Sequence, residues 1–244
     1  MMNMIQACGV VAKNRAEDSI LVATMGAMFI FDFIEGESGQ AKYVPMLGGK
    51  VGLIAGVIAG KVAGKLSKSN ETGAEGQRVI SPRINSVPLM GGAGGLGLGL
   101  ALAQPTQKVV VVDGDASLLM ELSGLVTVAR QAPANFLHIV IRNGTQFTGL
   151  ANMVSPDPEF NFADAARNAG YAHTETIADA QEWMVRYPEL LKMKGPVFVQ
   201  LLVDPVPSQT KPEFKQQELP VNQFDRMGKE AVALQSWLQN SKLI

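Results

Sequence analysis

Along most of the chain, short unbroken apolar runs alternate with longer stretches in which apolar residues return every three or four positions. The runs "KVVVV" (108–112), "FLHIVI" (136–141) and "PVFVQLLV" (196–203) carry almost no polar residue. A strand that is apolar on both sides belongs inside a sheet covered on two faces. Between these runs the spacing predicts helices over 117–130, 162–170 and 178–194, with a short strand at 173–177. Near the N-terminus, a helix over the first fifteen residues precedes "SILVATMGAMFIF" (19–31), a strand running into a turn or helix. "GGAGGLGLGLALA" (91–103) reads as a Gly-rich loop turning into a helix, and "RNGTQFTG" (142–149) as a loop. Strands alternating with helices of this length predict an α/β fold, a parallel sheet with helices on both faces.

Two stretches fall outside this alternation. Residues 1–244 read as a single domain with an inserted Gly-rich helical segment at about 38–77 and a C-terminal tail, 205–244. In the insertion, Gly52, Gly56, Gly60 and Gly64 recur at four-residue spacing, one stripe of a helix where another backbone can approach closely. A membrane span needs about 20 apolar residues, whereas Lys61 and Lys65 interrupt this run soon after Val51. A packing or subunit-interface helix is therefore expected, with a mobile lid as the alternative. The tail is proline-rich and ends in the helical pattern "KEAVALQSWLQ" (229–239).

Composition narrows the chemistry. Charges nearly balance, 21 Lys+Arg against 22 Asp+Glu, so the chain lacks the electrostatic footprint of a nucleic-acid or membrane-surface protein. One cysteine, Cys8, and two histidines, His138 and His173, cannot build a zinc site or a disulfide framework. Any metal must be held by oxygens. No basic n-region followed by an apolar run opens the chain, and a cytoplasmic location is expected.

The candidate site lies at the end of the strongest strand. "VVVVDGDASLLMELSGL" (109–125) ends an apolar strand in Asp113-Gly114-Asp115 and passes straight into a helix. Paired carboxylates at a strand end call for a cation or hydroxyl groups. In parallel sheets, ligands bind beyond the carboxyl ends of the strands, and Asn143 lies at the end of the next strand. Asp115 with the Asn143 amide and a nearby carbonyl, that of Thr145, would suffice for a magnesium ion, which shares its remaining positions with phosphate oxygens and water. Ala116 and Ser117, at the helix start, would offer N–H groups and a hydroxyl to a diphosphate. Without a ligand, Asp115 is a helix N-cap and Asn143-Gly144 a plain turn. "GAGGLG" (92–97) also matches a dinucleotide-binding fingerprint, but "SPRINSVPLM" before it contains two prolines where that fold needs a clean strand. His138, inside a strand, is expected as a hydrogen-bonded core histidine. Arg83 and Lys50 could meet an anionic tail of a substrate, with solvated surface charge as the default reading of both.

Gly114-Asp115-Ala116, followed 28 residues later by Asn143, resembles the thiamine diphosphate signature, which runs from Gly-Asp-Gly to a terminal Asn. "LMGGAGGLGLGLALA" and "KVVVVDGDASLLMELSGLVTVAR" are similar to the cofactor-diphosphate domain of 2-oxoacid decarboxylases, above all the sulfopyruvate decarboxylase β subunits and phosphonopyruvate decarboxylase. The likeness runs over about residues 86–150 and more faintly to 204. It implies a thiamine diphosphate-binding fold, magnesium ligands at Asp115, Asn143 and Thr145, and cofactor contacts from Gly91, Gly114, Ala116 and Ser117. It also places at Met90 the apolar wedge that keeps the cofactor bent, although plain core packing accounts for a methionine there equally well. Ala116 replaces the second glycine of the signature, Arg142 stands where the family has Asn or Asp, and the loop after Asn143 is short.

In this family a glutamate on a separate pyrimidine-binding domain activates the cofactor, and the alternating pattern here leaves no room for that domain. The resemblance therefore implies half of an active site, completed by a pyrimidine-domain (α-type) partner in an assembly such as α2β2. The expected activity is decarboxylation of a 2-oxoacid, or transfer of the derived acyl group. A carboligase or acyloin lyase subunit and a non-catalytic scaffold of the same fold are the alternatives.

Overall fold

The computed structural model describes residues 2–16, 18–35, 82–85, 89–147, 152–154, 159–205 and 220–240. The insertion at 38–77 with its glycine stripe, Lys50, and the tail before Pro220 lie outside the described residues.

Helices α1 (Met4–Asn14) and α2 (Met25–Glu35) flank strand β1 (Ile20–Ala23), and β2 (Arg83–Asn85) precedes α3 (Gly92–Ala103). Next come β3 (Val109–Gly114), α4 (Asp115–Met120), α5 (Gly124–Gln131) and β4 (Phe136–Arg142). A small hairpin, β5 (Thr145–Phe147) and β6 (Asn152–Val154), leads to α6 (Phe162–Ala169), β7 (His173–Ile177), α7 (Ala180–Lys192) and β8 (Val197–Leu202). Helix α8 (Pro220–Asn240) is the last element described.

Six strands form one parallel sheet in the order β2-β1-β3-β4-β8-β7, as the alternation predicts. The four valines of β3 are at most 1% exposed, because both faces of the sheet are covered. Alternate residues serve alternate cores. Val110 and Val112 pack with α1, α2 and the Trp183 and Tyr187 rings of α7. Val109 and Val111 pack with α3, α5, α6 and Leu234 of α8. The chain winds outward from β1 to β2, then returns to lay β3 on the other side of β1. That reversal opens a crevice at the carboxyl ends of β1 and β3.

Four expectations are corrected. The helix read as 117–130 is two helices broken at Glu121–Ser123, where the Ser123 hydroxyl donates to the Glu121 carboxylate and the backbone of Gly91 lies against Glu121. The glycine run at 91–103 is helical from Gly92 onward, with only Gly91 in the left-handed region, at φ 88°. Residues 145–147, read as loop, pair antiparallel with 152–154. Arg83, read as a surface charge, is 8% exposed and lies within β2, a strand that the flanking prolines Pro82 and Pro88 conceal.

The apolar helix α3 fits the sheet because Gly97 has no side chain. A Cβ there would stand 2.3 Å from Val111 Cγ2 and 3.1 Å from Phe136 Cε2. Gly95, two residues earlier, faces open space. Gly95→Ala should therefore stabilise the chain by up to about 1 kcal/mol through helix propensity. Gly97→Ala should destabilise it, since overpacking costs about 1–3 kcal/mol or more; urea unfolding of the two variants side by side checks the opposite signs.

Candidate functional site

The carboxyl edge of β3 and β4 brings the sequence-predicted residues together. Asp115 opens α4 and is 3% exposed. Its Oδ1 accepts the Ala116 N–H and its Oδ2 the Gly144 N–H, each at 2.8 Å. The second bond ties the end of β3 to the turn after β4, where Gly144 adopts φ 67°. Asp115 is not the N-cap of α4: that position is Gly114, in extended conformation with no side-chain cap.

Asn143 closes a local turn, its Oδ1 accepting both the N–H (3.0 Å) and the hydroxyl (3.1 Å) of Thr145. Its Nδ2 lies 3.8 Å from Met4 Sδ of α1. Ser117 is buried, and its hydroxyl accepts the Gly91 N–H at 3.0 Å. That bond pins the residues before α3 onto the first turn of α4. Met90 is held at the same edge with its side chain 36% exposed, next to Leu89 (52%); Met120 is also exposed, at 50%. It is thus an exposed apolar residue at the crevice and not part of the core.

Burial raises the Asp115 carboxyl above the usual carboxylate range, opposed by the Gly144 and Ala116 amides and by the positive charge of Arg142. It makes no ion pair among the described residues. A cation beside a buried carboxylate of this kind would favour its charged form. The donors beside it are oxygens: carboxylate, amide and backbone carbonyls. No cluster of three His, Cys, Asp or Glu occurs among the described residues, so an oxygen-preferring ion that keeps several waters suits the set better than zinc. Two expected groups are already engaged: the Ala116 N–H donates to Asp115 and not outward, and Asn143 Oδ1 accepts from Thr145.

Elsewhere the remaining titratable candidates fall where chemistry is not expected. His173 begins edge strand β7 and is exposed. His138 is buried and hydrogen-bonded, as expected, through Nδ1 to the Tyr171 hydroxyl at 3.3 Å. Cys8 is free and fully buried, which pushes its thiol pKa up and makes it a poor nucleophile. Sequence reasoning missed the pairing of His138 with Asp113, whose Nε2 and Oδ2 lie 3.6 Å apart; the only signal for it was two polar residues in adjacent apolar strands. No described helix is long and apolar enough to cross a membrane.

Known proteins are similar to this chain in sequence and in fold. The chain is 37% identical over 116 residues to the sulfopyruvate decarboxylase subunit beta of Methanothermobacter thermautotrophicus, covering 48% of this chain and 59% of that one. It is 37% identical over 120 residues to the phosphonopyruvate decarboxylase of Streptomyces viridochromogenes, covering 49% of this chain and 30% of that one. Both matches span less than two thirds of the relative's length. In the X-ray structure of a Mycobacterium smegmatis protein assigned to the thiamin diphosphate-dependent enzymes, the same fold recurs with a TM-score of 0.55 at 14% identity, over 84% of this chain and 32% of that one. Residues 72–201, more than half of the 244, match the family described as thiamine pyrophosphate enzyme, C-terminal TPP binding domain, and with the site at the ends of β3 and β4 lying inside that stretch, the chain belongs to this family.

Proposed function

We propose that this chain, folded as one diphosphate-binding domain with an insertion, is the β-type subunit of a thiamine diphosphate- and magnesium-dependent enzyme that decarboxylates a 2-oxoacid. The observation that carries the reading is Asp115, a carboxylate buried at the end of β3 that accepts two backbone amides and makes no ion pair among the described residues. Bound magnesium would be held by the Asp115 carboxylate, the Asn143 amide oxygen and the Thr145 carbonyl. Gly91, Gly114, Ala116 and Ser117 line the place for the diphosphate, and Met90 stands where an apolar wedge is needed. Thiamine diphosphate supplies an electron sink for the pair of electrons left behind when carbon dioxide departs. The chain's own part is to bind and orient: Asp115 and Asn143 fix the anionic end, and Met90 limits the conformation of what lies above.

The exposed Leu89, Met90 and Met120 beside the crevice support a second subunit covering it, since apolar residues gathered at a site mark contact surfaces. That subunit is read as the α-type, pyrimidine-binding partner, in an assembly such as α2β2. The relatives' names point to 2-oxoacids as substrates, and the single free Cys8 suits a cytoplasmic protein. Calorimetric titration of thiamine diphosphate with magnesium into the chain alone and into the chain co-purified with its partner tests the reading. Binding in the complex, at least about 100-fold tighter than to the chain alone, is expected from a site shared between subunits (~2.7 kcal/mol). Absence of binding in both preparations overturns it.

A further inference from the structure

Beneath the site runs a line of buried polar side chains that the proposed chemistry does not touch. Asp113, the next-to-last residue of β3, and His138 of β4 have side chains 0% and 1% exposed, and Asp113 Oδ2 lies 3.6 Å from His138 Nε2. Neither atom has a hydrogen-bond partner among the described residues. The opposite ring nitrogen, Nδ1, meets the Tyr171 hydroxyl at 3.3 Å, and Phe136 and Phe198 box the imidazole edge-on, with centroids 5.8 and 5.2 Å away. The other oxygen of Asp113, Oδ1, accepts the Gly114 N–H at 2.8 Å. Gly114 is the residue that joins Asp113 to Asp115.

Packing alone gives no reason for these residues. Apolar side chains of similar volume are often neutral or stabilising in place of a buried charged pair, and the surrounding positions are valine, isoleucine and phenylalanine. What the three residues do share is a connection to the backbone that carries Asp115. We propose that His138, backed by Tyr171, is a positioning residue for the cation site: it holds the Asp113 carboxylate in place, so that Asp113 fixes the Gly114 amide and the turn presenting Asp115. With Nδ1 accepting from the Tyr171 hydroxyl, the ring proton sits on Nε2 and faces Asp113 Oδ2 at 3.6 Å, an ion-pair distance and not a hydrogen bond. Burial, then the charge of Asp113, pushes the Tyr171 phenol pKa up, which keeps it a donor. The inference rests on the cofactor reading for the purpose of the network, but the position of the turn is measurable without any cofactor.

Amide hydrogen exchange on the full chain, together with binding of manganese and thiamine diphosphate to the chain co-purified with its partner, tests this. His138→Phe keeps an aromatic ring but loses both nitrogens. Exchange at Gly114 and Asp115 should speed up at least tenfold while Val110–Val112 stay protected, and affinity should fall about 10–100-fold, as for other groups that orient a metal ligand. His138→Gln, whose amide can still donate to Asp113, should restore most of both losses. Tyr171→Phe removes one hydroxyl only; it should move both readouts in the same direction by a smaller factor, and it serves if His138→Phe does not fold. Unchanged exchange at 114–115, loosening spread equally along Val110–Val112, or failure of glutamine to restore at equal thermal stability would each overturn the proposal. A parent complex that does not bind manganese with thiamine diphosphate would defeat the cofactor reading, and the exchange pattern would still decide this one.

Discussion

Asp115→Asn should abolish turnover in the assembled enzyme while leaving a chain whose stability no longer falls as the pH rises. Groups one shell removed from a metal already cost about 10–100-fold when lost, so removing the carboxylate that holds the cation should cost more than about 100-fold. The stability effect has the opposite character. Burial lifts the folded pKa of Asp115, so the neutral form is the one the fold prefers. Stability from this group is complete below the unfolded carboxylate pKa, about 3.9, and is lost as pH rises through the raised folded value. Asparagine removes that loss. It also takes one acceptor from the Ala116 and Gly144 amides, which costs about 1 kcal/mol, so the slope of melting temperature against pH, measured without metal, is the diagnostic quantity. Magnesium with thiamine diphosphate should reverse the order, because a ligand at 100 times its Kd stabilises the parent by ~2.7 kcal/mol and the variant not at all. Equal pH slopes in the two proteins, or an Asp115→Asn complex that still turns over, would refute the assignment.

Asp32→Ala should be the most destabilising single change among the described residues outside the apolar core. Asp32 lies on α2 with its side chain 1% exposed and receives two guanidinium groups, Arg83 of β2 on one oxygen and Arg226 of α8 on the other, at 2.8 and 2.9 Å for the second. Beside them Glu230 accepts both the backbone and the side-chain N–H of Asn85, at the end of β2. Three elements far apart in sequence thus meet in one buried set of charges. Removing one partner of a buried pair costs about 3–5 kcal/mol, because the other charge loses its compensation; here two guanidinium groups would each lose the Asp32 carboxylate, with Arg226 keeping Glu230 at 4.0 Å. For a chain of this size that corresponds to roughly 6–20 °C in melting temperature. Adding Arg226→Met to the alanine variant should recover part of the loss, as expected for coupled neighbours. A loss below about 1 kcal/mol, the range of surface pairs, would show that α8 is not docked through this network.

The elements that sequence reading placed well are those whose signal is local. β3, β4 and β8 are apolar on both sides because both sheet faces are covered, and α7 begins where Asp179 caps the Gln181 and Glu182 amides. β2 escaped notice because it is three residues long and carries Arg83, whose burial makes sense only once Asp32 and Arg226 stand beside it. The break between α4 and α5 was hidden in the same way, since its cause is the backbone of Gly91 lying against Glu121, thirty residues on. Met90 was undecided between wedge and core, and only its 36% exposure takes it out of the core.

The cofactor class is what the resemblance to the thiamine diphosphate signature implies, whereas the amino-acid sequence by itself determined the class of fold, the alternation of strand and helix, and the placement of Asp115 and Asn143 at two strand ends. Each of these rests on periodicity or spacing within a few tens of residues, which a single strand or helix imposes on its own side chains. The tertiary structure alone decided that β3 lies between β1 and β4, that the Gly144 amide reaches Asp115, that Arg83 is buried, and that Asp113 faces His138. Those relations join residues that only sheet order brings together, and burial gives a charge or an amide its meaning only after its neighbours are known.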